Sequence, residues 1–352
     1  MSIDQQALDE FMGKFVTDFA ATMHAATVVL GDRLGLYRTL AELGAVTPDA
    51  LADAAGCDRR LVREWLDAQY VSGYCEHDPE TGRYHLTAEQ AAVLADPGTP
   101  AFLMGAMRIA SSAVKDEDKL ARAFRDGGGL GWHDHHDDLF HGTERLFRPG
   151  YVANLVSAWI PALDGVEERL RAGATVADLG CGHGASTLLL AEAYPDSTVT
   201  GFDNHPESID IARKRAAEAG LADRVRFEVA SAQDFPGSGF DLVCVFDALH
   251  DMGDPEAAAA HIRGALAPDG TWLLVEPMAG EDVTANVNVV GRIFYSASTV
   301  ICTPNAQSQG GRYTLGAQVP DATWAEILRK GGLTRFRRAT ETPFNRVFEA
   351  RP

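Results

Sequence analysis

Residues 175–186 read TVADLGCGHGAS, a short apolar run that leads into glycines at every second position. A short apolar run bounded by glycine is typical of a buried strand. The glycines let backbone amides come close to a ligand, and the leucine-rich run that follows predicts a helix. This stretch therefore predicts the strand, loop and helix with which doubly wound α/β sheets bind their ligands.

The rest of the C-terminal half alternates strand-like and helical segments. The later strand-like runs are TVTGF, VRFEVA, FDLVCVF and TWLLVE, and helical segments such as PEAAAAHIRGAL separate them. Such alternation predicts a doubly wound α/β sheet with helices on both faces. Ligands of these sheets bind outside the carboxyl ends of the strands, where the strand order reverses. The loops that follow the strands are therefore where we expect the site.

Polar residues and glycines at the ends of the first two strands form a candidate cofactor site. Asp203 ends the second strand 19 residues after Gly184. At this sequence spacing a carboxylate can accept hydrogen bonds from both hydroxyls of a ribose. The glycine loop alone is also compatible with NAD, although the G-x-G-x-x-G spacing of dinucleotide enzymes is absent. The candidate cofactor residues here are Asp178, Gly180, Gly182, Gly184, Asp203 and Asn204.

The N-terminal region predicts a helix, a turn, a second helix and a small hairpin, which is the winged helix-turn-helix pattern. Thr47 caps a helix that begins at Pro48 and closes at Gly56, and Asp58 caps the next. Such modules often bind DNA. Residues 1–95, however, hold 7 Lys and Arg against 15 Asp and Glu, a net charge of −8 in a chain of net charge −19. Because nucleic acids draw affinity from positive charge, we expect no nucleic-acid partner.

The first hundred residues also carry more apolar surface than a small module can bury. The segment FMGKFVTDFAATMHAATVVLGDRLGLYRTLAEL before the winged element is apolar and helical in pattern, so it predicts a homodimer. No apolar run reaches the length of a membrane span, and the acidic N-terminus does not resemble a secretory signal. The five scattered cysteines are typical of reduced thiols, so we expect a cytoplasmic protein without a membrane partner.

From about residue 145 the chain resembles the class I S-adenosylmethionine (SAM)-dependent methyltransferases. The resemblance rests on the D-x-G-x-G-x-G loop, the order of elements, and the helix and strand hairpin that end the chain. It implies a seven-stranded Rossmann-like sheet that binds SAM and releases S-adenosylhomocysteine (SAH). It also implies that Ser231 and Ala232, in VASAQDFP where the family often has Asp-Ala, adjoin the adenine. Phe246 would pack beside the sulfonium, and Arg148 would bind the cofactor carboxylate.

The segment LHDMGDP, residues 249–255, resembles the LHDWSDE-type segment of small-molecule O-methyltransferases that join a winged helix to this fold. Actinobacterial enzymes of secondary metabolism belong to this group. In it the matching histidine is the general base, so the resemblance implies that His250 deprotonates a hydroxyl of a small aromatic metabolite. An ordinary pKa of about 6.5 suits that role. The alternatives are a structural His250, a carbon or nitrogen acceptor, and a SAM-sensing regulator that does not catalyse transfer.

The stretch GWHDHHDDLFH, residues 131–141, holds four of the chain's 11 histidines. Its spacing predicts a helix from about Asp134 with His136 and Phe140 on one face. Adjacent histidines on a helix point about 100° apart, which disfavours converging ligands, so we expect no metal. In the resembling group this segment roofs the substrate pocket; the alternative is a solvated helix start. The candidate substrate residues, including one on an insert after the fifth strand, are His133, His136, Phe140, Tyr151 and Tyr295.

These expectations divide the chain into three parts. A winged-helix dimerisation domain is predicted for residues 1–100, and a helical linker that roofs the active site for residues 101–172. The SAM-binding α/β domain is predicted for residues 173–352.

Overall fold

The computed structural model describes residues 3–352, so Met1 and Ser2 of the predicted first domain lie outside the described residues. The chain forms two compact units. One comprises the residues up to Val114 together with Asp137–Pro149, and the other comprises Lys115–His136 together with Gly150–Pro352. The predicted linker is therefore shared between the two units.

The first unit is mainly helical and contains the predicted winged helix-turn-helix. Thr47 and Asp58 cap the two helices of the motif through hydrogen bonds from backbone N–H groups, as their sequence positions predict. A two-stranded antiparallel hairpin follows. Up to its last helix, which ends one residue beyond Val114, the first stretch of this unit is formed by α1 (Gln5–Arg33), α2 (Leu36–Leu43), α3 (Pro48–Ala55), α4 (Arg59–Val71), β1 (Glu76–Asp78), β2 (Arg83–His85), α5 (Ala88–Leu94) and α6 (Met104–Lys115).

Helix α1 packs into this unit through its C-terminal part and leaves an apolar face exposed. Val28 and Gly31 are its buried residues, and the Trp65 indole N–H donates to the carbonyl of Thr27. Nearer the start of the helix, large apolar side chains are exposed, and Phe15 is 63% exposed. This face is formed by Phe11, Met12, Phe15, Val16, Phe19 and Met23.

The second unit contains a seven-stranded mixed sheet with flanking helices. The elements after α6 are α7 (Glu117–Asp126), α8 (Asp138–Asn154), α9 (Val166–Ala172), β3 (Thr175–Leu179), α10 (Ala185–Ala193), β4 (Thr198–Asp203), α11 (Pro206–Glu218), β5 (Val225–Val229), β6 (Phe240–Phe246), α12 (Pro255–Ala265), β7 (Leu266–Pro277), α13 (Val289–Ala297), α14 (Thr303–Ser308), α15 (Asp321–Lys330), β8 (Arg335–Glu341) and β9 (Asn345–Arg351).

The strand order of the sheet is β5-β4-β3-β6-β7-β9-β8. The first five strands in this order run parallel to one another, and β9 runs antiparallel to both β7 and β8. The order reverses between β3 and β6, where Asp178 of β3 lies opposite Cys244 of β6. This topology confirms the predicted doubly wound, seven-stranded α/β sheet and places the switch point at the glycine loop.

The sheet is buried on both faces, which explains why its strands read as continuous apolar runs. Successive residues of β3 point to opposite faces. Val176 joins a cluster that includes Trp159 and Tyr194, whereas Ala177 joins a cluster on the other face that includes Trp272 and Trp324. Within residues 3–352 no helix is both long enough and apolar enough to cross a membrane.

The histidine-rich segment departs from the predicted helix. Trp132–Asp134 forms one 3₁₀ turn, and α8 begins at Asp138, four residues later than predicted. The carboxylate of Asp116 takes a hydrogen bond from the backbone N–H of His136 and pairs with Nδ1 of His135. This tertiary contact replaces helical hydrogen bonding, so the predicted helical face shared by His136 and Phe140 is wrong.

Candidate functional site

The glycine loop connects β3 to α10 at the switch point of the sheet. Gly180, Gly182 and Gly184 all have positive φ, at 71°, 51° and 81°, where residues with a Cβ are strained. At Gly184 a Cβ would lie 2.8 Å from the ring of Phe227. The backbone N–H of Gly180 donates to the carbonyl of Phe202 at the end of β4, which fixes the loop beside that strand.

Asp178 is fully buried at the end of β3, directly before the glycine loop. Its Oδ2 accepts hydrogen bonds from the hydroxyls of Ser186 (2.7 Å) and Thr187 (2.6 Å) on α10. Among the described residues its Oδ1 has no hydrogen-bond partner. Burial outweighs the two hydroxyl hydrogen bonds and raises the pKa of Asp178 to about 6. Oδ1 of Asp178 can therefore accept a hydrogen bond from a donor other than the described residues.

Asp203 ends β4 beside the loop, where the sequence predicted it. Its Oδ2 accepts from the backbone N–H of Gly182, and its Oδ1 from that of His205, both at 2.9 Å. Burial raises the pKa of Asp203, while these two amides oppose the shift. Asn204 follows it in an exposed position. Gly182 and Asp203 thus lie together at the carboxyl edge of the sheet.

The predicted adenine residues follow β5, the neighbour of β4. The backbone N–H and hydroxyl of Ser231 both donate to Oδ1 of Asp234, at 2.9 and 2.7 Å, and Ala232 is half-buried. These hydrogen bonds lower the pKa of Asp234. Asp234 is exposed, and its side chain also shapes this loop.

Aromatic rings line the end of β6. Phe246 is buried against Trp159, whose ring is stacked on it with centroids 6.2 Å apart, and against Tyr151 at 5.3 Å. Burial raises the pKa of the Tyr151 hydroxyl well above its ordinary value. Tyr151 and Phe246, predicted as a substrate and a cofactor residue, therefore belong to one aromatic cluster.

Asp247 follows Phe246 and is the non-glycine residue with positive φ (49°) in the described chain. A side chain in this region is uncommon and requires support from its surroundings. The Asn345 amide donates to Oδ1 at 2.8 Å, while Oδ2 has no partner among the described residues. Burial and the nearby Glu276 raise the pKa of Asp247 well above its ordinary value. A residue with a strained backbone thus places its carboxyl group at the end of β6.

His250 lies three residues further on and is only 3% exposed. Its Nδ1 pairs with Oε2 of Glu276 at 2.7 Å, and Oε1 of Glu276 accepts from the backbone N–H of Leu249. Glu276 ends the apolar run of β7 and is fully buried. The sequence did not identify it, although a glutamate at the carboxyl end of a strand beside β6 was a usable signal.

The other nitrogen of His250 faces a second carboxylate. Nε2 lies 3.1 Å from Oδ1 of Asp251, as an ion pair rather than in hydrogen-bond alignment. Polar atoms of His250, Asp251 and Cys302 all lie within 4.8 Å of one another. Burial acts to lower the pKa of His250, but Asp251 and Glu276 outweigh it and raise that pKa well above 6.5. The two carboxylates therefore favour the imidazolium form of His250.

The remaining predicted site residues are distributed over both units. His133 and His136 lie in the second unit, on the segment held by Asp116. Phe140 and the exposed Arg148 lie on the part of α8 that belongs to the first unit. Tyr295 lies on α13, which Asn288 caps, and is 37% exposed. The substrate and cofactor roles of these residues stay predictions.

Models of two known domains match the chain. A methyltransferase domain matches residues 170–314, and an Rv2258c-like winged helix-turn-helix domain matches residues 22–96. A curated relative, the 27-O-demethylrifamycin SV methyltransferase of Amycolatopsis mediterranei (strain S699), is 36% identical over 131 residues. The match covers 35% of this chain and 48% of that protein, so the chain spans about half the length of that relative.

Solved structures share the fold over the whole chain. The mitomycin 7-O-methyltransferase MmcR has a TM-score of 0.71 at 21% identity, covering 99% of this chain and 100% of that one. Human N-acetylserotonin methyltransferase, solved in complex with SAM, has a TM-score of 0.72 at 19% identity, covering 99% and 98%. The likeness confirms the predicted architecture. The chain therefore contains an Rv2258c-like winged helix-turn-helix domain followed by a methyltransferase domain.

Proposed function

We propose that the chain transfers a methyl group from SAM to a hydroxyl of a small aromatic metabolite, with His250 as the general base. The observation that carries this proposal is the buried His250–Glu276 pair, with Nδ1 and Oε2 2.7 Å apart. It lies at the carboxyl ends of β6 and β7, on the sheet edge that also holds the glycine loop and Asp203. SAM and SAH in related solved structures support the choice of cofactor.

The residues at the switch point fit a nucleoside-containing sulfonium cofactor. Three glycines with positive φ leave room for close approach, and Asp203 offers a carboxylate to ribose hydroxyls. The unpartnered Oδ1 of Asp178 and Oδ2 of Asp247 are further acceptors, suited to an amine or to a positive charge. When bound, SAM supplies an electrophilic methyl group. The chain's own task is to hold the acceptor in line and remove its proton.

The environment of His250 suits removal of a proton from the acceptor once the imidazole itself is neutral. Glu276 fixes the tautomer by accepting from Nδ1, which leaves Nε2 as the basic nitrogen. Two neighbouring carboxylates stabilise the imidazolium, so a proton taken from a hydroxyl is well held. Because the same effect keeps His250 protonated at rest, the imidazole must first lose that proton. Activity should therefore rise with pH.

A carbon or nitrogen acceptor is the alternative, and it would not need this base in the same way. A regulator that only senses SAM is the other alternative. The electrostatics of the winged helix disfavour it, because Arg59, Arg60 and Arg63 of α4 pair with neighbouring carboxylates. Positive side chains committed in this way add little to DNA binding.

Label transfer from methyl-labelled SAM tests the proposed function directly. The full-length chain is incubated with a small-molecule extract of the host, with and without chelator, and labelled products are identified by mass spectrometry. Label on an aromatic hydroxyl, unaffected by chelator, supports O-methylation without a metal. Label on carbon or nitrogen would replace the proposed acceptor. Absence of label despite calorimetric SAH binding would favour the sensor.

Glu276→Gln is expected to move the pH dependence of turnover toward lower pH. The wild-type rate should rise through a midpoint above pH 6.5, because the carboxylates raise the pKa of His250. Glutamine keeps the acceptor for Nδ1 but removes one negative charge, so the midpoint should fall by about one unit or more. Rate profiles under substrate saturation measure the midpoint, with Glu326→Gln at an exposed position of α15 as the matched control. An unchanged midpoint would remove the His250–Glu276 pair from the reaction.

We also propose that the chain forms a homodimer through the N-terminal unit. The exposed apolar face of α1 supports this, because soluble monomers rarely expose large contiguous apolar patches. Phe15→Asp should shift the protein from dimer to monomer in analytical ultracentrifugation, since a carboxylate would be buried at the interface. Lys14→Asp, on the polar side of the same turn, is the control and should leave the mass unchanged.

A further inference from the structure

The histidine-rich segment is anchored in the second unit by one buried carboxylate. Asp116 accepts hydrogen bonds from Nζ of Lys119 (2.8 Å) and the backbone N–H of His136 (2.8 Å), and it pairs with Nδ1 of His135 (3.0 Å). Burial acts to raise the pKa of Asp116, but these partners outweigh it and lower that pKa. Nζ of Lys119 also donates to the carbonyl of Asp134. The segment is thus fixed before α8 begins.

A second anchor holds the start of the segment. The backbone N–H of Trp132 donates to Oδ1 of the Asn305 side chain at 3.0 Å, and the N–H of Leu130 donates to the carbonyl of Pro304. His135 is buried, and burial lowers its pKa despite the contact with Asp116. Between the two anchors, the side chain of His133 remains exposed.

His133 lies against the residues that follow β4. Its ring stacks on the ring of His205, with centroids 4.5 Å apart and an interplanar angle of 21°. His205 is fixed in turn, because its backbone N–H donates to Oδ1 of Asp203 and its Nδ1 contacts the hydroxyl of Ser208 at 2.8 Å. His133 is also near enough to Asp203 to influence that carboxyl electrostatically. The stacked pair therefore borders the carboxylate predicted to bind ribose.

We propose that His133 is a cofactor-binding residue, which contacts one of the two ribose hydroxyls of the nucleoside beside Asp203. The inference rests on the proposed function, and it places His133 at the nucleoside rather than at the methyl acceptor. An imidazole can both donate to and accept from hydroxyls, whereas Asp203 only accepts. Stacking on His205 fixes the plane of the ring, so little side-chain freedom is lost on binding.

Calorimetric titration with SAH tests the assignment in the full chain. His133→Ala should weaken SAH binding about tenfold, the effect of losing one hydrogen bond to a held polar group. His133→Phe keeps a ring to stack on His205 but no donor, so it should show most of the same loss. His85→Ala, on strand β2, is the matched control and should bind SAH as the wild type does. The acceptor KM should stay within about twofold in both His133 variants.

Deoxyribose analogues locate the contact. SAH analogues that lack the 2′- or the 3′-hydroxyl should bind wild type more weakly, and with at least one of them the His133→Ala loss should disappear. Unchanged SAH affinity in His133→Ala and His133→Phe would overturn the assignment. A loss that persists with both analogues would also overturn it, because the ring would not contact the ribose. If the wild type bound no SAH at all, the proposed function would fail instead.

Discussion

His250→Asn is expected to lower turnover about 10²- to 10⁴-fold, the usual contribution of a general base, while SAH affinity stays nearly unchanged. Asparagine can place its amide near the position of Nδ1 and so keep a donor for Glu276, but it has no equivalent of the basic Nε2. This choice matters because Glu276 is fully buried. Removing its partner altogether would leave an uncompensated charge and could unfold the protein.

Single-turnover rates with saturating SAM and acceptor measure the chemical step in this variant. Thermal unfolding and SAH calorimetry on the same preparation establish that the fold and the cofactor site are intact. His85→Asn on strand β2 is the matched control and should keep full turnover. If His250→Asn retained wild-type rates across the pH range, His250 would be structural, and the acceptor would have to lose its proton elsewhere.

Asp203→Ala is expected to weaken SAH binding about 100-fold. A carboxylate that accepts two hydrogen bonds from ribose hydroxyls contributes roughly 3 kcal/mol, since each charge-assisted hydrogen bond contributes about 1.5 kcal/mol or more. That free energy corresponds to about two orders of magnitude in Kd. The loss adds to the effect on the loop, because Asp203 also holds the backbone N–H groups of Gly182 and His205.

Two matched variants separate these contributions. Asp203→Asn keeps one acceptor for the loop amides and should bind SAH with intermediate affinity. Asp210→Ala changes an exposed side chain of α11 that pairs with Arg213, and it should leave SAH affinity unchanged. Calorimetry on all three variants measures the effect. Wild-type affinity in Asp203→Ala would mean that the nucleoside binds away from the end of β4.

The sheet and the loops at its carboxyl edge could be predicted because their signals are local. The run TVADL forms β3 over exactly the predicted span in the structure, and Asp203 lies beside Gly182 as the spacing from the glycine loop suggested. Buried parallel strands must be apolar on both faces, so their sequences stand out. Positive φ likewise confines the loop to glycine, which makes its positions visible in the sequence.

The residues around His250 and the histidine-rich segment depend on contacts that are distant in sequence. Glu276 contacts His250 because β7 pairs with β6, so its position at a strand end becomes informative only once that strand pairing is known. The predicted helix from Asp134 followed the periodicity of the sequence. Asp116, which precedes α7 in the chain, instead accepts a hydrogen bond from the backbone N–H of His136. Tertiary hydrogen bonding thus displaced the start of α8, which local propensity cannot anticipate.

The buried carboxyl group of Asp178 makes the stability of its domain depend on pH. Its folded pKa of about 6 exceeds the ordinary value of 3.8, so the folded state binds the proton more tightly than the unfolded chain does. The domain therefore loses stability as pH rises from about 4 to 6, by roughly 3 kcal/mol at completion. At neutral pH the buried, ionised carboxylate lowers the stability of the domain, and a hydrogen-bond donor to Oδ1 would restore part of it. A chain selected for stability alone would not keep an acid here.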